Sequence, residues 1–189
     1  MNQDDRPLVA CGSRRTSQKG IHLIKHAIWR VLERGGQFVL LGSAPDDRIQ
    51  ADFEHLASQV NNDHFGQVHL KLVYDEPLSH LIYAGADSIL VPSMFEPCGL
   101  TQLIAMRFGC LPIVRKTGGL NDTVFDMDHD KDRAAWAGYE VNGFSFEGTD
   151  EGGCDYALDR ALSAWYDGRE WWNATAKRNM EQVSCGIGQ

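Results

Sequence analysis

One carboxylate, Glu96, stands in the run Phe95-Glu96-Pro97-Cys98-Gly99-Leu100-Thr101-Gln102, and a glycine-bearing run, Arg115-Lys116-Thr117-Gly118-Gly119-Leu120, follows it. A carboxylate ahead of a helix, a glycine that lets backbone approach closely and the amides of a helix's first turn are complementary tools. The acid can hold a sugar and stabilise positive charge developing on it, while the N–H groups of Leu100 and Thr101 meet a phosphate. Thr101 can add its hydroxyl. The helix dipole by itself also accounts for a carboxylate at this place, without any chemistry.

A second constellation lies earlier, in Ser13-Arg14-Arg15-Thr16-Ser17-Gln18-Lys19-Gly20, which follows an apolar run and opens a helical one. Arg14 offers a planar fork to a phosphate and Lys19 a mobile point charge. Cations at a helix N-terminus oppose its dipole unless an anion is present. The alternative is a solvated basic loop. The run from Lys116 to Leu120 reads either as a phosphate nest or as a tight turn at a strand end. Tyr74, at the end of an apolar run, can stack on a planar ring or stay half-buried with a wet hydroxyl. His22, His26, His69 and His80 fall on or beside expected elements, where packing and surface roles suffice. A single carboxylate does not make the acid pair of glycoside hydrolysis, and no aspartate cluster is shaped for magnesium.

These residues need a scaffold. Apolar runs at 8–11, 38–41, 68–73, 88–91, 111–114 and, shorter, 143–146 read as strands. Pro112 must then stand early in its strand or at an edge. Ile21, Ile24, Ala27, Ile28, Val31 and Leu32 repeat at helical spacing over 20–34, and Gly35-Gly36 stops that helix. Further helices are expected at 47–60, 77–84, 99–108, 156–166 and 169–180. Strand–helix alternation with short connections calls for an α/β fold, a Rossmann-like, mainly parallel sheet covered on both faces. Its ligands belong beyond the carboxyl ends of the strands, so the loops after each strand should share one rim. The segment 126–142 reads as a charged, exposed, mobile loop. Trp165, Trp171 and Trp172 read as core or interlobe contacts.

The 189 residues fit one α/β domain or lobe, and 43% hydrophobic content excludes wholesale disorder. A formal net charge of -8 argues against nucleic acid or an anionic membrane as the main partner. Five widely spaced cysteines without a C-x-x-C pair read as reduced thiols. No targeting stretch and no membrane span is visible, so a soluble protein is expected.

The run Glu96 to Gln102 matches without a gap a donor-site motif of the glycogen and starch synthases, and the chain resembles that family from about Arg6 to Gln182. Wording such as Gln18-Lys19-Gly20-Ile21-His22 and Asp159-Arg160-Ala161-Leu162-Ser163-Ala164-Trp165-Tyr166 is similar to the family's starch synthase III branch. The resemblance implies the C-terminal, nucleotide-sugar-binding lobe of a GT-B glycosyltransferase over residues 1–182. It implies transfer of glucose from ADP-glucose to the non-reducing end of an α-1,4-glucan, with retention, in a plastid. Glu96, Arg14 and Lys19 would then be catalytic. Arg14, Lys19, Tyr74, Glu96, Cys98, Gly99, Leu100, Thr101, Lys116, Gly118 and Gly119 would bind the donor, with no cofactor and no metal. Two departures stand out: Arg15 replaces the family's leucine, and Ile104 stands where many related enzymes place a ribose-binding glutamate. The amino-terminal lobe and the family's closing helix are expected to be missing, and residues 183–189 form an atypical tail. The fragment alone is therefore expected to be inactive, and the alternative is a non-catalytic product that binds nucleotide or docks onto full-length synthase.

Overall fold

A computed structural model describes residues 5–13, 20–42, 46–64, 66–73, 75–97 and 99–186. The six apolar runs form one parallel sheet: β1 (Leu8–Ser13), β2 (Gln37–Gly42), β3 (Val68–Lys71), β4 (Ser88–Val91), β5 (Leu111–Arg115) and β6 (Phe144–Phe146). Their order is β3-β2-β1-β4-β5-β6. The register pairs Val9 with both Phe38 and Ser88, and Leu90 with Ile113. Pro112 is the second residue of β5, an interior strand, so the strand-start alternative holds and the edge does not.

Side-chain alternation along the strands creates two cores. Val9, Cys11, Leu90 and Ile113 face one side, where they meet α1 (Ile21–Glu33), α2 (Asp47–Asp63), α7 (Glu151–Asp167) and α8 (Arg169–Gly186). Ala10, Ile89, Val91 and Val114 face the other, against Ala105 of α4 (Thr101–Arg107) and Leu120 of α5 (Gly118–Thr123), with α3 (Glu76–Gly85) alongside. The helices begin where their sequences supply caps. Asp46, Asp75 and Asp150 accept from the amides of Ile49, Leu78 and Gly153 at 2.9–3.0 Å. Helix α1 stops at Gly35, whose φ of 78° is the left-handed turn glycine adopts freely. Trp165 and Trp172 are core residues, and Trp171 packs against them. No helix among the described residues is long and apolar enough to cross a membrane.

Three expectations need correction. Residues 126–142 are exposed over most of their length, as expected, but they are not a free loop: Asp126 is fully buried, Asp130 is 7% exposed, and Lys131–Trp136 forms α6. The segment's buried charge at Asp126 is neutralised inside, because Arg160 of α7 donates to both carboxylate oxygens at 2.8–2.9 Å. The run after β5 is not a bare turn, since α5 starts at Gly118. Helix α7 begins at Glu151 rather than near Tyr156, because the Asp150 cap stabilises a first turn that holds Gly152 and Gly153.

Candidate functional site

The order of the strands decides where a ligand can enter. From β1 the chain crosses to α1 on one face, and from the neighbouring β4 it crosses to α4 on the other. A crevice opens at the carboxyl ends of two such strands. Glu96 lies in the β4–α4 connection beside it, half-buried.

That connection is clamped from three sides. Ser93, fully buried, donates its hydroxyl to Glu96 Oε2 at 3.3 Å. Arg115, the last residue of β5, donates to the carbonyls of Met94 at 2.7 Å and Ser93 at 3.3 Å, and its Nε donates to Gly148 O. The Gly119 amide donates to the backbone carbonyl of Glu96 at 3.0 Å. The Gly118-Gly119 pair is therefore a backing for the Glu96 loop. Gly118 has φ 45°, and a Cβ there would fall 2.3 Å from Glu96 O.

Gly20, just before α1, meets the same loop from the β1 side. It has φ 66°, and a Cβ there would fall 2.3 Å from Pro92 O. Close packing of Gly20 on Pro92 and Met94 brings the β1–α1 junction beside the connection that carries Glu96. Gly99 has φ 54° and packs on the buried Gln102 side chain, where a Cβ would lie 2.7 Å from Nε2. Helix α4 then opens at Thr101 without a side-chain cap, and Leu100 before it is exposed.

Glu96, Gly99, Leu100, Thr101, Gly118 and Gly119 are thus gathered at one end of the sheet. Arg14, Lys19, Tyr74 and Cys98 lie outside the described residues, as does Arg15. Lys116 shares the rim by sequence, but its ammonium is engaged with Asp130 at 3.5 Å and Glu147 at 3.8 Å. Burial pushes the Asp130 carboxyl up, and Arg133, the Asp126 amide and Lys116 outweigh that and hold it below the usual carboxylate range. Ser93 and Thr123 carry no signal in the sequence, and Arg115 stands there only as the first residue of the glycine-bearing run. A serine one residue past a proline and an arginine at a strand end have no local pattern that marks them; only the parallel pairing of β4 with β5 puts them together. Among the described residues no group of three or more His, Cys, Asp or Glu is arranged to hold a metal ion.

The family model for glycosyl transferases group 1 matches residues 5–147. The chain belongs to that family. It is 68% identical over 182 residues to soluble starch synthase 3, chloroplastic/amyloplastic, of Solanum tuberosum, covering 96% of this chain and 15% of that protein. It is 69% identical over 178 residues to starch synthase 3 of Arabidopsis thaliana, covering 94% and 17%. The chain therefore spans about a sixth of the length of these relatives. A solved catalytic domain of starch synthase IV from Arabidopsis thaliana, bound to ADP and acarbose, superposes with a TM-score of 0.85 at 48% identity, covering 97% of this chain and 37% of that one. The fold is that of a GT-B glycosyltransferase lobe, and this group 1 chain resembles starch synthases across nearly all its residues.

Proposed function

We propose that this chain is the donor lobe of a plastid starch synthase-like α-1,4-glucosyltransferase, acting on ADP-glucose with retention. The observation that carries the reading is the Glu96 loop at the β1/β4 crevice, backed by Gly118-Gly119 and flanked by the Gly20 end of the cationic segment. Similarity to a starch synthase catalytic domain bound to ADP and acarbose supports it.

Glu96 attends the hexose and stabilises positive charge growing at the anomeric carbon. The amides of Gly99, Leu100 and Thr101 meet the diphosphate, and Arg14 and Lys19 neutralise it as it leaves toward the face from which the glucan hydroxyl approaches. Preorganised charge of this kind lowers a barrier by roughly 3 kcal/mol per donor. With those cations in place the proposed reaction uses no bound metal. Tyr74 stacks on adenine, Cys98 lines the site without reacting, and Gly118-Gly119 shapes the sugar pocket rather than gripping phosphate. The acceptor glucan is held by a second lobe. A non-catalytic reading, in which the chain only binds nucleotide or docks on a full-length synthase, draws on the same 37% coverage of the solved catalytic domain.

Calorimetric titration with ADP tests the site. Arg14→Ala and Lys19→Ala should each weaken binding roughly tenfold, the size of one charge-assisted hydrogen bond. Affinities equal to the parent's remove the cationic-segment assignment. Glucan extension from radiolabelled ADP-glucose separates the two readings, with no incorporation expected from the 189-residue chain alone. Robust incorporation overturns the need for a second lobe.

A further inference from the structure

Gln102 is completely buried in α4, although a leucine or methionine would fill that space without carrying a polar amide into the core. Its Nε2 donates to Thr123 Oγ1 at 2.8 Å, and that hydroxyl donates onward to the Gly119 carbonyl at 2.7 Å. The Gly119 amide in turn donates to the Glu96 carbonyl at 3.0 Å. The other end of the amide, Oε1, is buried without a hydrogen-bond partner. The bond to Thr123 is thus the one hydrogen bond this buried amide makes among the described residues. Gly99 packs directly on the same amide.

We propose that Gln102 and Thr123 are positioning residues that set Glu96 against the hexose. They join the first turn of α4 to α5, and α5 carries the amide that holds the Glu96 backbone. The chain Gln102–Thr123–Gly119–Glu96 fixes the spacing between the phosphate-facing turn at Gly99 and the sugar-facing carboxylate. Neither side chain touches substrate. A slack link leaves the diphosphate contacts in place and lets the carboxylate drift, so the loss falls on the hexose alone. This inference rests on the donor-lobe reading above.

The test compares ADP with ADP-glucose binding to the 189-residue chain by calorimetry. The ratio of the two affinities isolates the hexose. Thr123→Val keeps the side chain's shape and removes the hydroxyl. It should leave ADP affinity within about twofold of the parent and weaken ADP-glucose roughly tenfold, the effect of one buried hydrogen bond left unmade. Thr123→Ser, which restores the hydroxyl, should recover the parent's ratio. Gln102→Leu should match Thr123→Val, and neither should lower affinity further in a chain that already carries Glu96→Ala. If Gln102→Leu fails to fold, the Thr123 pair decides. Thr123→Val with the parent's ratio, or with equal losses for both ligands, overturns the proposal. If Glu96→Ala abolishes the hexose preference and Thr123→Val spares it, the link falls and the donor-lobe reading stands. A parent chain with no preference for ADP-glucose over ADP removes the role of Glu96 and this inference with it.

Discussion

Asp126 shows how much a single residue holds together. Its carboxylate, fully buried, accepts from the amides of Asp128 at 3.0 Å, His129 at 3.2 Å and Ser145 at 2.6 Å, and from both terminal nitrogens of Arg160. The guanidinium is also stacked over Tyr156 of its own helix at 4.4 Å and donates to the Ser145 carbonyl at 3.0 Å, so α7 is tied to both Asp126 and β6 through one side chain. Neutralising Asp126 strips the largely buried Arg160 of its bidentate partner and leaves it only Asp128, at 2.8 Å, as a charged one. Asp126→Asn should therefore cost about 3–5 kcal/mol in urea denaturation at pH 7, and a cost under about 1 kcal/mol, the range of an exposed pair, would reject this account. The pH dependence has a definite sign. Burial raises the Asp126 carboxyl, and Arg160 with the Asp128 and Ser145 amides overcomes that and holds it at about 2, against an ordinary 3.8. A group whose pKa falls on folding stabilises the protein above its ordinary value and loses that contribution as pH drops through the folded one. The gap between parent and Asp126→Asn should thus be full above pH 3.8 and shrink toward pH 2.

At the scale of elements, the left-handed glycines include some with open space around them and others that let two loops touch. Gly138 has φ 75° and open space where a Cβ would go, whereas Gly118 has φ 45° and Glu96 O at 2.3 Å. Alanine at Gly138 should cost about 1–2 kcal/mol from backbone strain alone. Alanine at Gly118 carries that strain and must also displace the Glu96 loop or the start of α5. Gly118→Ala should therefore destabilise by roughly 2 kcal/mol more than Gly138→Ala, within the range of overpacking. Equal costs in urea denaturation would mean that α5 does not press on the Glu96 loop. The same elements show what could be read from the chain. Strands β1, β2, β4 and β5 and helix α1 declare themselves through continuous apolar runs and a clean helical stripe, because each is decided by its own burial. Helices α5 and α6, six residues each, are too short to show a period, and what stabilises them is Arg133 donating to the Asn121 and Val124 carbonyls and the Asp126–Arg160 pair across the fold. At the site, Glu96 and Gly99 were legible from their own neighbours, while Ser93, Arg115 and Thr123 matter only through contacts 3 to 33 residues away along the chain.

For the whole molecule the governing fact is that an acidic chain is proposed to bind an anion. With 26 acidic side chains against 18 basic ones, the net field repels a nucleoside diphosphate. Affinity must then come from groups concentrated at the β1/β4 crevice. A ligand that binds only the native state adds RT ln(1 + [L]/Kd), or about 2.7 kcal/mol when present at 100 times its Kd. For a domain of this size each kcal/mol moves the midpoint by about 2–4 °C, so saturating ADP should raise Tm by roughly 5–10 °C. Inorganic phosphate at the same concentration lacks the base and the second phosphate and should give only a small part of that shift. Arg14→Ala should flatten the ADP curve, whereas Asp126→Asn should lower every Tm and leave the ADP increment intact, because its network lies on the β6–α7 side of the sheet. A Tm that ADP leaves unchanged would show that the crevice between β1 and β4, however well its loops are braced, does not hold a nucleotide.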